Sequence, residues 1–184
     1  MEKGEYTYFS AFMHITKAIS ASLDLKEVLH LIVEKACETT GSKGCTLMLL
    51  DDKGERLEVN SSYGLSDHYI GKGPLSADKS ISDTLKGKPV IIEDATSDPR
   101  LQYPGEAKRE GIASIISVPI ILREKIIGAL RLYTSVPCRF SEDDIDFLSA
   151  IAMQSGIAIE NAKMYAHIRL SYEKGMASST QTGE

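Results

Sequence analysis

The spacing of hydrophobic positions changes twice along the chain, which divides it into a helical start, a strand-rich middle and a helical end. Before Gly41, apolar residues recur every three or four positions in two stretches that separate at Asp24. This spacing is typical of amphipathic helices. Asp24 followed by Glu27 resembles a capping box, and Gly41 is well placed to end a helix. We therefore predict one helix that ends before Asp24 and a second from Leu25 to Gly41.

The middle of the chain, from about Lys43 to Thr134, favours β-strands. Short apolar or alternating runs are separated there by Gly, Pro, Asp and Ser, as is typical of strands and turns. The predicted strands are Cys45–Leu50, Arg56–Ser62, Pro89–Glu93, Ser114–Leu122 and Lys125–Thr134. The last two join at Arg123–Lys125, which indicates an antiparallel hairpin. A short helix at about Asp78–Lys86 and an irregular stretch at Asp94–Gly111 lie in the long connections, which often carry function.

The end of the chain predicts one long helix. Ser141 is a suitable N-cap, and the three acids after it lie at the positive end of the helix dipole. An apolar stripe then runs to Tyr172 over roughly thirty residues, or about 45 Å. We expect such a projecting helix to find a partner helix. The predicted organisation is an N-terminal dimerisation helix (1–24), a domain that includes the long helix (25–172) and a disordered tail (173–184).

Composition narrows the functional classes. The 184 residues carry a net charge of −5, so the chain lacks the basic surface of a nucleic-acid-binding protein. It has neither an apolar run of about 18 residues nor a start that resembles a signal peptide. Three cysteines without CxxC spacing fit neither a disulfide framework nor a metal clip. We expect a cytoplasmic protein that binds no nucleic acid, no membrane and no metal.

The order of elements predicts an α+β fold. We expect an antiparallel sheet of five or six strands, with the terminal helices covering one face. The short helices and loops would cover the other face.

The stretch from about Leu25 to Tyr165 resembles a GAF domain, a small-molecule-sensing module of signalling proteins. The resemblance lies in the order and spacing of several segments rather than in any one motif. These segments are Leu25–Gly41, Cys45–Asp52, Ile81–Val90, Asp94–Arg100, Ser117–Ile120, Ile127–Leu130, Phe140–Asp144 and Ala158–Ala162. It implies a ligand cavity on the sheet face opposite the helices and a homodimer formed through the outer helices.

Strand alternation supplies the first candidate ligand contacts. Side chains point alternately to the two faces of a strand, so Thr46 and Met48 share a face, as do Arg131 and Tyr133. Ser117 lies on the more polar face of its strand. We expect these faces to line the cavity. Arg131 either pairs with an acid of a covering loop or reaches solvent, or it holds the carboxylate or phosphate of a ligand with its bidentate fork. The acids proposed as its partners are Asp78, Asp94 and Asp98.

Further candidates come from the connections and from tyrosines, which offer both a ring and a hydroxyl. Tyr63 and Tyr103 are candidates of this kind, although they are also suited simply to pack the loops. Ile81 and Ser82 lie near the start of the predicted short helix, where free amides either bind an anion or are capped. Thr96 in the Asp94–Gly111 stretch completes the candidate set.

The resemblance also allows the known classes of GAF ligand to be compared with this sequence. The comparison identifies neither a ligand nor a cofactor. Thr134 and Ser135 stand where cyclic-nucleotide-binding members carry Asn and Lys, which argues against a cyclic nucleotide. No Cys-His pair exists for a bilin, and His68 alone is near enough to the cavity to ligate haem iron. The cysteines do not match the arrangement of the GAF-fold reductase of free methionine sulfoxide. They are Cys37, Cys45 and Cys138.

The sequence shows no catalytic arrangement of side chains. We therefore predict a non-enzymatic module that binds a small molecule and signals to an effector protein through its dimer helices, either in trans or as a piece of a longer chain. The alternative is a protein-interaction module whose cavity is filled by its own side chains. An enzyme or a haem or redox sensor is a third possibility.

Overall fold

The computed structural model describes residues 3–22, 24–77 and 82–180, and it confirms the predicted α+β fold. The helices are α1 (Lys3–Ala21), α2 (Leu25–Thr40), α3 (Asp67–Ile70), α4 (Pro104–Glu110) and α5 (Glu142–Thr180), with a 3₁₀ turn at Thr84–Lys86. The strands are β1 (Gly44–Leu50), β2 (Arg56–Tyr63), β3 (Leu75–Ser76), β4 (Val90–Ile92), β5 (Ser114–Leu122) and β6 (Lys125–Thr134). They form one antiparallel sheet in the order β3-β2-β1-β6-β5-β4.

Local sequence signals explain where α2 begins and ends. The Asp24 carboxylate accepts hydrogen bonds from the amides of Lys26 and Glu27, as an N-cap does. Gly41 has a left-handed backbone (φ 63°), and its amide donates to helix carbonyls. The Asp24 amide bonds to Ser22 Oγ at 3.1 Å, so Ser22 supplies the acceptor that a capping box would take from Glu27.

The connections contain more regular structure than the sequence predicts. The stretch Asp94–Gly111, expected to be irregular, contains α4, with Pro104 in its first turn and Gly111 as a left-handed cap. Helix α3 and strand β3 were not predicted, because four and two residues are too few for a periodic pattern. The short helix expected at Asp78–Lys86 is a 3₁₀ turn over Thr84–Lys86, and residues 78–81 lie outside the described part of the chain.

Helices α1, α2 and α5 cover one face of the sheet and form the larger core with it. Leu47 of β1, Val118 of β5 and Leu130 of β6 are fully buried there, together with Ile32 of α2 and Ile151 of α5. The alternation that the sequence predicts therefore places the apolar strand faces against the helices. The opposite face is covered by α3, α4, the 3₁₀ turn and their loops.

Helix α5 is longer than the domain on which it packs. Its 39 residues span roughly 58 Å, and residues 163–169 are all exposed. The helix continues through Thr180, where composition predicts a tail without structure. The reason is that extending an existing helix by one residue requires less free energy than starting a new helix. Residues 181–184 lie outside the described part. No helix within the described ranges is long and apolar enough to cross a bilayer.

Candidate functional site

A row of polar side chains crosses the centre of the sheet on the face away from the long helices. In the strand register, Arg131 of β6 lies opposite Thr46 of β1 on one side and Ser117 of β5 on the other. Residues paired in this way point to the same face of an antiparallel sheet. We call these three residues the polar row. Their common face is the geometry that strand alternation predicts.

The polar row is buried and internally hydrogen-bonded. Arg131 is only 1% exposed, and its Nε donates to Ser117 Oγ at 2.7 Å. Two of the acids proposed as its partners are engaged elsewhere. Asp94 accepts from Thr96 and Ser97, which hold its pKa at about 2, and Asp98 pairs with Arg100. The third, Asp78, lies outside the described residues. The burial excludes the alternative in which Arg131 reaches solvent.

Two buried tyrosines extend the row at one end. Tyr133 Oη and Thr46 Oγ1 are 3.0 Å apart and share a hydrogen bond. The ring of Tyr69, from α3, packs edge-on against Tyr133 with 5.7 Å between ring centroids. Burial raises the pKa of both phenols, so both are neutral hydroxyls at physiological pH.

Apolar clusters flank the polar row on both sides along the strands. One cluster combines Tyr133 and Ile115 with Ile92 and residues of the covering loops. The other combines Met48 and Ala129 with β2, β3 and Leu85 of the 3₁₀ turn. An arrangement of a few convergent polar groups between apolar walls is typical of small-molecule sites.

A second cation, Lys72, lies close to this region, in the loop between α3 and β3. Its Nζ donates to the Tyr69 carbonyl oxygen at 2.9 Å and lies 3.6 Å from the centroid of the Tyr69 ring. Burial, together with the positive charge of Arg131, lowers the pKa of Lys72 to about 8, against a smaller opposing effect of Glu110 and Glu106. The sequence pattern gives no signal for Lys72, because its position depends on loop packing.

Thr84 adds a buried hydroxyl with no partner. The 3₁₀ turn that carries it packs against β5 and β6, the strands of Ser117 and Arg131. Thr84 is fully buried, and within the described part of the chain its Oγ1 has no hydrogen-bond partner. Such a group costs about 1–3 kcal/mol if it stays unsatisfied. The sequence pattern does not single out this residue either.

The structure contradicts the placement of Tyr63 in the loop-side cavity. Tyr63 packs against the helix-side core, with its ring 6.2 Å from that of His30 in α2. The cause is a β-bulge: Met48 pairs with Val59 but Leu47 pairs with Ser61, which leaves Asn60 as an extra residue in β2. An extra residue moves every later side chain of a strand to the opposite face.

The remaining candidates lie around the covering loops. Tyr103 packs beside the Met48 cluster, and its hydroxyl donates to the Pro74 carbonyl oxygen at 3.1 Å. Ser82 is half-buried just before the 3₁₀ turn, and Ile81 lies outside the described residues. Thr96 is exposed and donates to Asp94 at 2.6 Å, away from the polar row. It lines a separate surface groove of about 640 Å³ with Pro137 and Cys138.

The cysteines and His68 do not gather at the polar row. Cys37 and Cys45 are buried in the helix-side core, where burial raises the pKa of each thiol, and Cys138 is half-buried in the groove beside Thr96. His68 is paired with Glu106 at 2.8 Å on the surface. Among the described residues, no group of three or more His, Cys, Asp or Glu side chains is arranged to hold a metal ion.

Helices on one sheet face, and loops that bury a polar row on the other, define a small α+β domain. Residues 22–160 match the family model described as the GAF domain, and the chain belongs to this family. The suspected resemblance is thereby confirmed. Members of this family are generally sensory and not catalytic.

Individual proteins resemble this chain in sequence or in fold. The chain is 27% identical over 156 residues to a methyl sulfide methyltransferase-associated sensor of Methanosarcina acetivorans, a match that covers 81% of this chain but 16% of the sensor. The GAF domain of a Coxiella burnetii phosphoenolpyruvate-protein phosphotransferase has the same fold (TM-score 0.79, 21% identity, 90% of this chain and 99% of that one). Free methionine-R-sulfoxide reductase from Neisseria meningitidis, in complex with its substrate, also has this fold (TM-score 0.75, 18% identity). That match covers 90% of this chain and 95% of the reductase.

Proposed function

We propose that this GAF domain is a cytoplasmic, non-enzymatic sensory module that binds a small molecule at the polar row. The occupied site would then act on an effector protein through the terminal helices of a homodimer. The observation that carries the proposal is the burial of Thr46, Ser117 and Arg131 in one row between two apolar clusters. Met48, Tyr103, Tyr133 and Ser82 are further proposed contacts, from the walls and the covering loops.

The position of the site supports coupling to the helices. Strands β5 and β6 carry Ser117 and Arg131 on one face, and their opposite face packs against α5 through Val118 and Leu130. A ligand that changes the positions of these strands would therefore also change the surface on which α5 packs. Such coupling requires that the ligand bind one arrangement of strands and helix more tightly than another.

The terminal helices offer a surface for a second copy. Beyond the domain, α5 exposes Met164, Tyr165, Ile168 and Tyr172, and α1 exposes Phe9 at 63%. Large apolar side chains at three- and four-residue spacing on a projecting helix are typical of helix–helix association. The net charge of −5 favours a protein partner over a nucleic acid or an anionic membrane surface.

A second candidate function is a protein-interaction module with a self-filled cavity. The observation that favours it is the near-complete burial of the polar row by the chain's own side chains, with Thr46 at 0% and Arg131 at 1% exposure. In that case the row stabilises the loop-side core, and the signal passes through protein contacts alone.

Binding measurements on two matched serine variants test the sensory proposal. A panel of anionic and neutral metabolites is screened by thermal shift, because a ligand of the native state raises its melting temperature. Compounds that raise it are then measured by calorimetry on Ser117→Ala and Ser155→Ala. Both serines are buried, at 1% and 0% exposure, but Ser155 lies in α5 and bonds to the Ile151 carbonyl oxygen.

The proposal expects at least one compound to bind, with affinity reduced at least fivefold by Ser117→Ala and unchanged by Ser155→Ala. Equal effects of the two variants would contradict binding at the polar row. The absence of any binding compound in the panel, with a dimer that still forms, would favour the interaction module.

A further inference from the structure

The polar row is so deeply buried that a small molecule can reach it only if part of its cover moves. Thr46, Ser117 and Arg131 are 0%, 1% and 1% exposed. Helices α3 and α4, the 3₁₀ turn and their loops lie over this face of the sheet. Elements that close over a site commonly open to admit a molecule. The covering element with the weakest attachment is therefore the expected entrance.

Of the covering elements, α3 contributes least to the core. Among residues 64–73, all of which the structure describes, only Tyr69 is buried; we call these residues the α3 segment. By contrast, α4 and its flanks bury Leu101, Ala107 and Ile112. The 3₁₀ turn packs directly against β5 and β6, whereas α3 packs mainly against α4. A segment with few buried apolar contacts opens at a lower free energy than the rest of a domain.

The buried side chain of the α3 segment closes one end of the polar row. The Tyr69 ring packs edge-on against the Tyr133 ring, with 5.7 Å between their centroids. The Tyr133 hydroxyl in turn shares a hydrogen bond with Thr46. Withdrawal of Tyr69 would therefore uncover Tyr133 and the Thr46 end of the row.

Both ends of the α3 segment are glycines with left-handed backbone angles, Gly64 (φ 74°) and Gly73 (φ 106°). Gly64 lies tightly against the residue before β1, because a Cβ there would be 2.3 Å from the Lys43 carbonyl oxygen. Glycine has no Cβ and adopts a wide range of backbone angles. Rotation at these two residues would move α3 without displacing the strands on either side of it.

One carboxylate fastens the α3 segment to α4. Glu110, the last residue of α4, accepts hydrogen bonds from the Ser66 amide at 3.0 Å and from the Ser66 hydroxyl. Ser66 is the N-cap of α3. The Glu110 side chain is 8% exposed and pairs with Lys43 at 3.6 Å, which holds it in place. Hydrogen bonds to a charged acceptor are stronger than those between neutral groups.

Resting on the proposed function, we propose that the α3 segment is a lid through which the small molecule enters and leaves the polar row, and that Glu110 holds this lid closed. Opening breaks the hydrogen bonds between Glu110 and Ser66 and withdraws Tyr69 from Tyr133. The sheet and the terminal helices stay in place. Glu110 is thus a positioning residue that sets the rate of ligand exchange without touching the bound molecule.

Hydrogen exchange followed by NMR tests the lid in the free protein. The amides of Tyr69, Ile70 and Gly71 donate hydrogen bonds within the α3 segment. They should exchange faster than the amides of β1 and β6. Glu110→Gln keeps the shape of the side chain and removes its charge. This variant should speed the exchange of the three amides by about fivefold or more and leave the strand amides unchanged.

Two further variants locate the effect at this contact. Ser66→Ala removes the partner hydroxyl and should act in the same direction as Glu110→Gln. Glu106→Gln is the matched control, because Glu106 also lies on α4 and contacts α3 through His68 at 2.8 Å. His68 is 69% exposed, and exposed ion pairs contribute little, so this variant should change the exchange of the α3 segment by less than about twofold.

Binding kinetics provide a second readout. The probe is the compound of the metabolite panel whose binding depends on Ser117, followed by stopped flow. Because Glu110 contacts the lid and not the bound compound, Glu110→Gln should raise the association and dissociation rates together, by about threefold or more. Kd should change by less than about twofold. A residue that only stabilised the folded protein would not raise both rates.

The outcomes separate the lid from the proposed function. If the amides of the α3 segment exchange no faster than those of β1 and β6, or if Glu110→Gln leaves their exchange unchanged, the lid is overturned. If a compound binds in a manner that depends on Ser117, with rates that Glu110→Gln does not alter, the sensory function stands and the lid is likewise overturned. If the segment opens selectively but no compound binds, the proposed function is rejected, and with it the role of the segment as an entrance.

Discussion

At the scale of single residues, the loop-side interior is unusual because it holds cationic side chains in a largely apolar setting. Arg131 is anchored by Ser117, and Lys72 is anchored by the carbonyl oxygen and ring of Tyr69. Burial and the charge of Arg131 lower the pKa of Lys72 to about 8, against 10.5 for the free side chain. The charged form of Lys72 therefore opposes folding.

This shift predicts a pH-dependent effect of Lys72→Met. Below about pH 8 the folded protein carries the unfavourable ammonium, so the variant should be more stable by about 1 kcal/mol, a value reduced for partial exposure. Between pH 8 and 10.5 folding releases the proton, so wild-type stability rises relative to the variant. Urea unfolding at pH 7 and pH 9.5 measures both values.

The groups that face Lys72 do not change the sign of this expectation. They are Arg131, which opposes the ammonium, and Glu110 and Glu106, which favour it. Lys43→Met serves as the control, and its effect on stability should show no such dependence on pH. A Lys72→Met variant that is less stable at pH 7 would contradict the assigned electrostatics.

Residue-level prediction from the sequence succeeded where one rule sufficed. Alternation along unbroken strands placed Thr46, Ser117 and Arg131 on a common face, as the register shows. Tyr63 was proposed for its ring and hydroxyl and not from alternation. It lies on the helix side because a bulge at Asn60 precedes it, and the sequence has no signature strong enough to reveal that bulge. The positions of Lys72 and Thr84 could not be predicted from the sequence, because a loop residue is placed by tertiary packing and not by a repeating pattern.

At the scale of elements, the β5–β6 hairpin is the part that the sequence specifies best. Two long apolar strands are joined by a turn in which Arg123 and Glu124 take left-handed backbone angles (φ 47° and 66°). Short elements such as α3 and β3 were not predictable, since they present no repeating pattern. The elements that hold the site were therefore predicted, and those that cover it were largely not.

The contact between β6 and β1 predicts a severe effect of Gly128→Ala. A Cβ at Gly128 would lie 2.1 Å from the Met48 carbonyl oxygen and 3.1 Å from Leu49 Cα, and these backbone atoms cannot move without displacing β1. We expect a loss of about 1–3 kcal/mol in the free energy of unfolding, measured by urea denaturation.

Gly105→Ala is the matched control. Gly105 lies in the first turn of α4 with open space around its Cα, so alanine should be neutral or stabilising by about 0.5–1 kcal/mol. Equal stability of the two variants would mean that β1 and β6 are not packed as closely as the structure places them.

At the scale of the whole molecule, the projecting part of α5 predicts a homodimer. Light scattering coupled to gel filtration should give about twice the monomer mass of 20.1 kDa. Ile168→Glu places a charge on a side chain that is 61% exposed and should shift the protein towards monomer. Ala166→Glu, about 200° around the helix, should leave the dimer intact. A monomeric wild type at tens of micromolar would contradict this assembly.

The central claim, a ligand site on the loop-covered face of the sheet, is tested most directly by mapping a bound compound. The compound with the largest thermal shift is titrated into isotopically labelled protein and followed by NMR. We predict the largest chemical-shift changes at Thr46, Met48, Ser117 and Ala129. The contradicting result would be changes concentrated instead at Ile19, Val28, Ala158 and Ala162, which line a cavity of about 220 Å³ between the terminal helices.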